Sequence, residues 1–126
     1  MNDLQTLMND VSEWSDATFG DGERNPAIVY HLKKEVDELI DALHKSNALG
    51  ADNSVNDEEF KRQLNRTEME FADCFMLLLD SAHHFSLNAE QLINLTREKL
   101  GINKARKWGK PDKHGVVEHV RGPAAD

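Results

Sequence analysis

One cysteine occurs in 126 residues. Cys74 has no partner for an internal disulfide, which excludes the disulfide-stapled domains and makes a reducing, cytoplasmic setting the expectation. Basic residues are scarce: 15 Lys+Arg stand against 23 Asp+Glu, for a net charge of −8. A surface of that sign excludes a nucleic-acid polymer or an anionic membrane as partner through basic contacts. No apolar run is long enough to span a bilayer, and the N-terminus carries no signal-peptide pattern. Aromatics make up only 6% of the chain, and alternating strand-like runs are absent. No glycine-rich phosphate loop is present. His83, His84, His114 and His119 lack metal-ligand spacing.

What remains is a helical pattern of a length suited to one core. The periodicity predicts an all-α, antiparallel bundle of four main helices. The first runs from Asp3 to about Thr18, with Leu4, Leu7, Met8, Val11 and Trp14 on one side, and stops at Phe19-Gly20-Asp21-Gly22. Asn25-Pro26 reads as the start of the second, with Asn as cap and Pro at the first helical position. This helix runs to about Lys45, its buried stripe being Leu32, Val36, Leu39 and Leu43. A polar loop follows from Ser46 to Val55. Asn56 caps a long third helix to about Phe85. After the turn Ser86-Leu87-Asn88, a fourth covers about Ala89 to Lys107, where Asn88 and Gln91 have capping-box spacing. The expected division is a helical domain over 1–108 and a polar, extended tail over 109–126.

Two carboxylate pairs carry the chemistry. The run Phe71 to Leu79 is apolar apart from Asp73, and a buried charge there is costly unless it is paired, hydrogen-bonded or metal-bound. Glu70 lies one turn before it on the same face. Glu35 and Glu38 repeat the spacing at the edge of the second helix. Spacing alone decides nothing, since a chain this acidic gives roughly four such pairs by chance. Placement on two helices that should pack together favours an oxygen-rich cage of four carboxylates suited to Mg2+. The competing readings are a polar helix edge for Glu35/Glu38 and a buried ion pair for Glu70/Asp73.

In the fourth helix Lys99, Asn103 and Arg106 share the face that begins with Leu92 and Leu95. Such a stripe fits phosphate oxygens, although cations near a helix C-terminus also arise as partners of the helix dipole. Trp14, Phe19 and Trp108 lie near helix ends, where they could stack on a base or serve as core or interface. His31 shares a strip with Glu38 and could hydrogen-bond a base, hold a carboxylate or pack at the bundle edge.

Taken together, Glu35-Val36-Asp37-Glu38 and Glu70-Phe71-Ala72-Asp73 resemble the signature of the all-α nucleoside triphosphate pyrophosphohydrolases, the MazG-like superfamily. Thr18-Phe19-Gly20, His31 to Glu35, Lys99 to Trp108 and Glu118-His119-Val120-Arg121 narrow the resemblance to the phage and bacterial dATP/dGTP pyrophosphohydrolase branch. That branch includes a phage enzyme linked to 2-aminoadenine-containing genomes. The resemblance covers about residues 14 to 121; the loop from Lys45 to Asn56 is longer than the branch needs. It implies a bundle completed by a second subunit, as a homodimer or dimer of dimers. It also implies Mg2+-dependent cleavage of a purine (deoxy)nucleoside triphosphate, dGTP or dATP, to the monophosphate and pyrophosphate.

Two or more ions per site are expected, with Mn2+ as a substitute. Glu35, Glu38, Glu70 and Asp73 are the implied metal ligands and catalytic residues, with Glu38 the candidate acceptor of a proton from water. Lys99, Asn103 and Arg106 are the implied phosphate contacts, and His31, Trp14, Phe19 and Trp108 the candidate base contacts. The alternatives are a related enzyme acting on dCTP, dUTP or another nucleotide, and a non-catalytic helical interaction module. A di-iron bundle is disfavoured because no Glu is followed by His at the Glu-x-x-His spacing.

Overall fold

The computed structural model describes residues 3–121. Among them four helices form: α1 Asp3–Phe19, α2 Ala27–Gly50, α3 Asp57–His84 and α4 Ala89–Ala105. Among the described residues there is no strand, only an isolated antiparallel bridge between Trp108 and His119. The expected all-α class holds for the described residues. The chain divides into two compact units, one reaching to Ala89 and the other beginning at Glu90.

In the first unit α1 and α2 both pack against α3. The α2/α3 contact is a seam of small and polar residues. Ala42 and Ser46 are buried on α2, and Gln63 and Thr67 on α3. The Ala42 carbonyl accepts from Gln63 Nε2 and from Thr67 Oγ1, each at 3.3 Å, and Ser46 Oγ lies 2.7 Å from Thr67 Oγ1. Such a seam keeps its polar groups satisfied but buries little apolar area. The buried set shows the consequence, with seven apolar residues against six polar ones among those described. The expected stripe on α2 is correspondingly shallow. Val36 and Leu43 remain exposed, Leu32 and Leu39 are half-buried, and Ile28, Ala42 and Ser46 are the buried positions.

Helix ends follow local chemistry with two departures. Asn56 caps α3 as expected, its side chain accepting from the Glu59 amide at 2.8 Å. Asn25 does not cap α2. Its Nδ2 donates to the Ser81 carbonyl and its Oδ1 accepts from Ser81 Oγ, so a tertiary contact to α3 takes the side chain that the sequence assigned to capping. α2 also continues five residues past Lys45, because Ser46 joins the buried seam and Ala48-Leu49 are helix formers. After α3 the chain turns through Ser86, whose φ of 69° is left-handed, and the Leu87 amide returns to the Ala82 carbonyl.

In the second unit the segment after α4 is extended but paired. The Gly109 amide donates to Glu118 O at 2.8 Å, and Asp112 N to Val116 O at 2.8 Å. Asp112 Oδ1 accepts from the amides of His114 and Val116, which closes the turn. The part of the expected tail over 122–126 lies outside the described residues.

Candidate active site

Three of the four expected carboxylates converge. Glu35 and Glu38 on α2 and Glu70 on α3 each offer an oxygen, all within 4.8 Å of one another. The i, i+3 spacing puts each pair on one helix face, and the close α2/α3 seam brings the faces together. Glu35 Oε2 and Glu70 Oε2 are buried without a hydrogen-bond partner. Burial and then the neighbouring Glu38 and Asp73 charges push both carboxyls above the ordinary carboxylate range, and His31 partly offsets this at Glu35. His31 Nε2 stands 3.3 Å from Glu35 Oε1.

Asp73 is exposed, contrary to the burial expected of its apolar run. Phe71, Phe75 and Leu78 around it are exposed as well. The run is divided between faces, with Leu79 buried, Cys74, Met76 and Leu77 half-buried and the rest exposed, so its hydrophobicity did not report the depth of Asp73. Asp73 nevertheless lies close to the other carboxylates. Burial, and then the charges of Glu35, Glu70, Asp73 and Glu38, push the Cys74 thiol up.

Beside the carboxylates a cavity of about 630 Å3 opens between α1, the segment that follows it, α2 and α3. Glu35 and Asp73 stand on its wall with Trp14, Phe19 and His31. Trp14 and Phe19 meet edge to face at 5.6 Å. Ile28, Met76 and Leu77 supply further apolar lining, so the cavity joins an aromatic and aliphatic chamber to an anionic edge.

A buried network fixes this chamber, and its centre is a residue the sequence reading passed over. Asp80 is 2% exposed. It accepts from Ser12 Oγ at 3.1 Å and from Ser15 Oγ at 2.6 Å, and Arg24 Nη2 lies 3.7 Å from it. Arg24 Nη2 also donates to Ser15 Oγ and Asp16 Oδ1, and His84 Nε2 stands 2.9 Å from Asp16 Oδ1. The hydrogen bond from Arg24, reinforced by His84, holds the Asp16 carboxyl below the ordinary range. The i, i+4 spacing of Asp80 and His84 and the hydroxyls at Ser12 and Ser15 were the available signals. Only the fold shows that they meet.

In the second unit Lys99 and Asn103 line a shallow groove of about 370 Å3 with Leu95, Thr96 and Leu100. Arg106, just past the end of α4, is half-buried and donates from Nη1 to Asn103 Oδ1 at 3.3 Å. The expected trio is thus contiguous. Trp108 donates its indole N–H to the Asn103 carbonyl at 2.8 Å and meets His119 edge to face.

The family model for dATP/dGTP pyrophosphohydrolases matches residues 47–126. The chain belongs to that family. It is therefore a nucleoside triphosphate pyrophosphohydrolase. The matched stretch includes Glu70, Asp73 and the α4 cations of this pyrophosphohydrolase, whereas Glu35 and Glu38 precede it. No curated protein and no solved structure matches the chain.

Proposed function

We propose that this pyrophosphohydrolase cleaves dGTP or dATP to the monophosphate and pyrophosphate with Mg2+ held by Glu35, Glu38 and Glu70, and with Asp73 completing the set. The observation that carries this is the convergence of three carboxylates within 4.8 Å, two of them with a buried, unpartnered oxygen. Like charges so arranged repel and are poorly solvated, which a hard divalent cation with oxygen ligands relieves. A bound Mg2+ would supply charge neutralisation for the phosphoanhydride and for the departing pyrophosphate.

The chain's own residues do the rest. Trp14 and Phe19 offer faces to a base, and the apolar lining excludes water around it. Glu38, the exposed member of the cluster, accepts the proton of the attacking water. His31 positions Glu35 through its ring nitrogen. On α4, Lys99, Asn103 and Arg106 are the phosphate contacts, Asn103 being oriented by Arg106. A second copy of the chain completes the assembly, supported by the exposed apolar residues of α2 and α3, Ile40, Phe71, Phe75 and Leu78 among them. The setting implied by the family branch is control of the purine deoxynucleotide pool, in a phage-infected cell or for a 2-aminoadenine genome.

Product analysis tests the reading. With Mg2+, dGTP and dATP should yield the monophosphate and pyrophosphate, and a chelator should stop the reaction. A nucleoside diphosphate with orthophosphate as main products would overturn it. Hydrolysis in 18O-labelled water then shows whether the α- or the β-phosphorus is attacked, from the label's place in the nucleotide or in the pyrophosphate.

A further inference from the structure

The segment between α1 and α2 lines the cavity beside the carboxylates. Arg24 lines the cavity and is fixed on one side. Its Nε donates to the Gly20 carbonyl at 2.8 Å, and its Nη2 to Ser15 Oγ at 2.7 Å and Asp16 Oδ1 at 3.1 Å. Its guanidinium carbon stands 5.7 Å from the centre of the Phe19 ring. With Nε and Nη2 engaged, Nη1 is the amino group that makes no hydrogen bond among the described residues. A guanidinium held this way loses little freedom when it meets a ligand.

The neighbouring Glu23 also lines the cavity. Its Oε1 accepts from the Asn25 amide at 2.7 Å, which orients the carboxylate and leaves Oε2 without a partner among the described residues. Asn25, by contrast, has both ends of its amide engaged by Ser81. The adjacent lining residues with spare capacity are therefore one fixed donor and one oriented acceptor.

That pair is asymmetric toward the two purines. Guanine presents O6 and N7 as acceptors, with N1–H and the 2-amino group as donors. Adenine presents a donor at N6 and an acceptor at N1, so a carboxylate would face the N1 lone pair and a guanidinium the amino group. We propose that Arg24 and Glu23 are specificity-determining residues that select guanine over adenine, Arg24 donating to O6 or N7 and Glu23 accepting from N1–H and the 2-amino group. The proposal rests on the pyrophosphohydrolase reading of the same site.

The test compares kcat/KM of the purified enzyme for dGTP, dITP and dATP with Mg2+. Hypoxanthine keeps O6 and N1–H but lacks the 2-amino group. The expected order is dGTP, then dITP, then dATP, with about a 10- to 100-fold span between the ends, as a site built to hydrogen-bond discriminates. Glu23→Ala should remove the advantage of dGTP over dITP and lower both toward dATP, and Arg24→Met should lower dGTP and dITP, which share O6, relative to dATP. Equal values for dGTP and dATP in the unaltered enzyme would overturn the proposal. So would variants that lower all three substrates alike, the signature of a purely structural role. Should Arg24→Met fail to fold, the unaltered enzyme and Glu23→Ala decide. Calorimetric binding of dGMP and dAMP reads base preference without turnover. Absent pyrophosphate release thus counts against the reaction, and equal Kd values count against Arg24 and Glu23.

Discussion

Replacing Glu35 with Gln separates electrostatic cost from function. Glu35, Glu38 and Glu70 place oxygens within 4.8 Å of one another, and Glu35 Oε2 has no hydrogen-bond partner. Two unit charges at that distance repel by about 1 kcal/mol at the dielectric constant of water, and salt reduces this. Gln keeps the shape and an oxygen beside His31 Nε2, so the substitution removes mainly the repulsion. In a chelator, Glu35→Gln should stabilise the protein by about 1 kcal/mol at neutral pH, which raises Tm by roughly 3–6 °C for a chain of this length. In Mg2+ the order reverses. At a hundredfold excess over Kd the unaltered protein gains about 2.7 kcal/mol from binding, and the variant gains little.

The pH dependence has a definite sign. Glu35 and Glu70 have folded pKa values raised above 4.5, so the stability they contribute is full below 4.5 and is lost as pH rises through the folded values. The metal-free protein should lose this contribution as pH rises from about 4.5, and Glu35→Gln should blunt the loss. Asp16 works in the opposite direction: its stability is present above 3.8 and lost as pH falls through its depressed folded value. Thermal unfolding with chelator and with Mg2+, across pH, reads all of this. A variant less stable than the parent in chelator, or stabilised equally by Mg2+, would refute the reasoning.

Asp80→Ala removes the acceptor of two serine hydroxyls and a charge partner of Arg24, and should cost about 3 kcal/mol in urea unfolding, with a raised KM from the loosened chamber. Phe75→Asp places a charge on the exposed apolar face of α3 and should shift sedimentation toward the monomer. Asp73→Asn should abolish Mg2+-dependent turnover with little change in helicity, because Asp73 is exposed and its loss leaves no buried group unpaired.

The sequence showed the four helices because their capping and periodicity are local. Asn56 before Asp57 is sufficient to mark the start of α3, since its side chain reaches only three residues on. Asn25 was misread because its partner, Ser81, is distant in sequence. The carboxylate pairs were visible through their spacing, and the α2/α3 seam supplied the proximity that spacing cannot. Asp73 is exposed against expectation, and Asp80, which carried no expectation, is buried, for a physical reason. An apolar run on a helix with an unpartnered face signals a surface to be covered, whereas Asp80 is buried because hydroxyls from α1 reach it. Nothing local distinguishes those cases. The base-reading pair Glu23 and Arg24 was equally invisible, since it depends on which donors and acceptors the fold leaves unused.

The most direct test of the carboxylate site is a titration with Mn2+ followed by electron paramagnetic resonance, run beside pyrophosphate release, on the parent protein and on Glu70→Gln. The parent should bind the ion and release pyrophosphate from dGTP. The variant should lose both together while keeping its helical circular dichroism. A Glu70→Gln protein that binds Mn2+ as tightly as the parent and turns over at a similar rate would contradict the assignment of Glu35, Glu38 and Glu70 as the metal site.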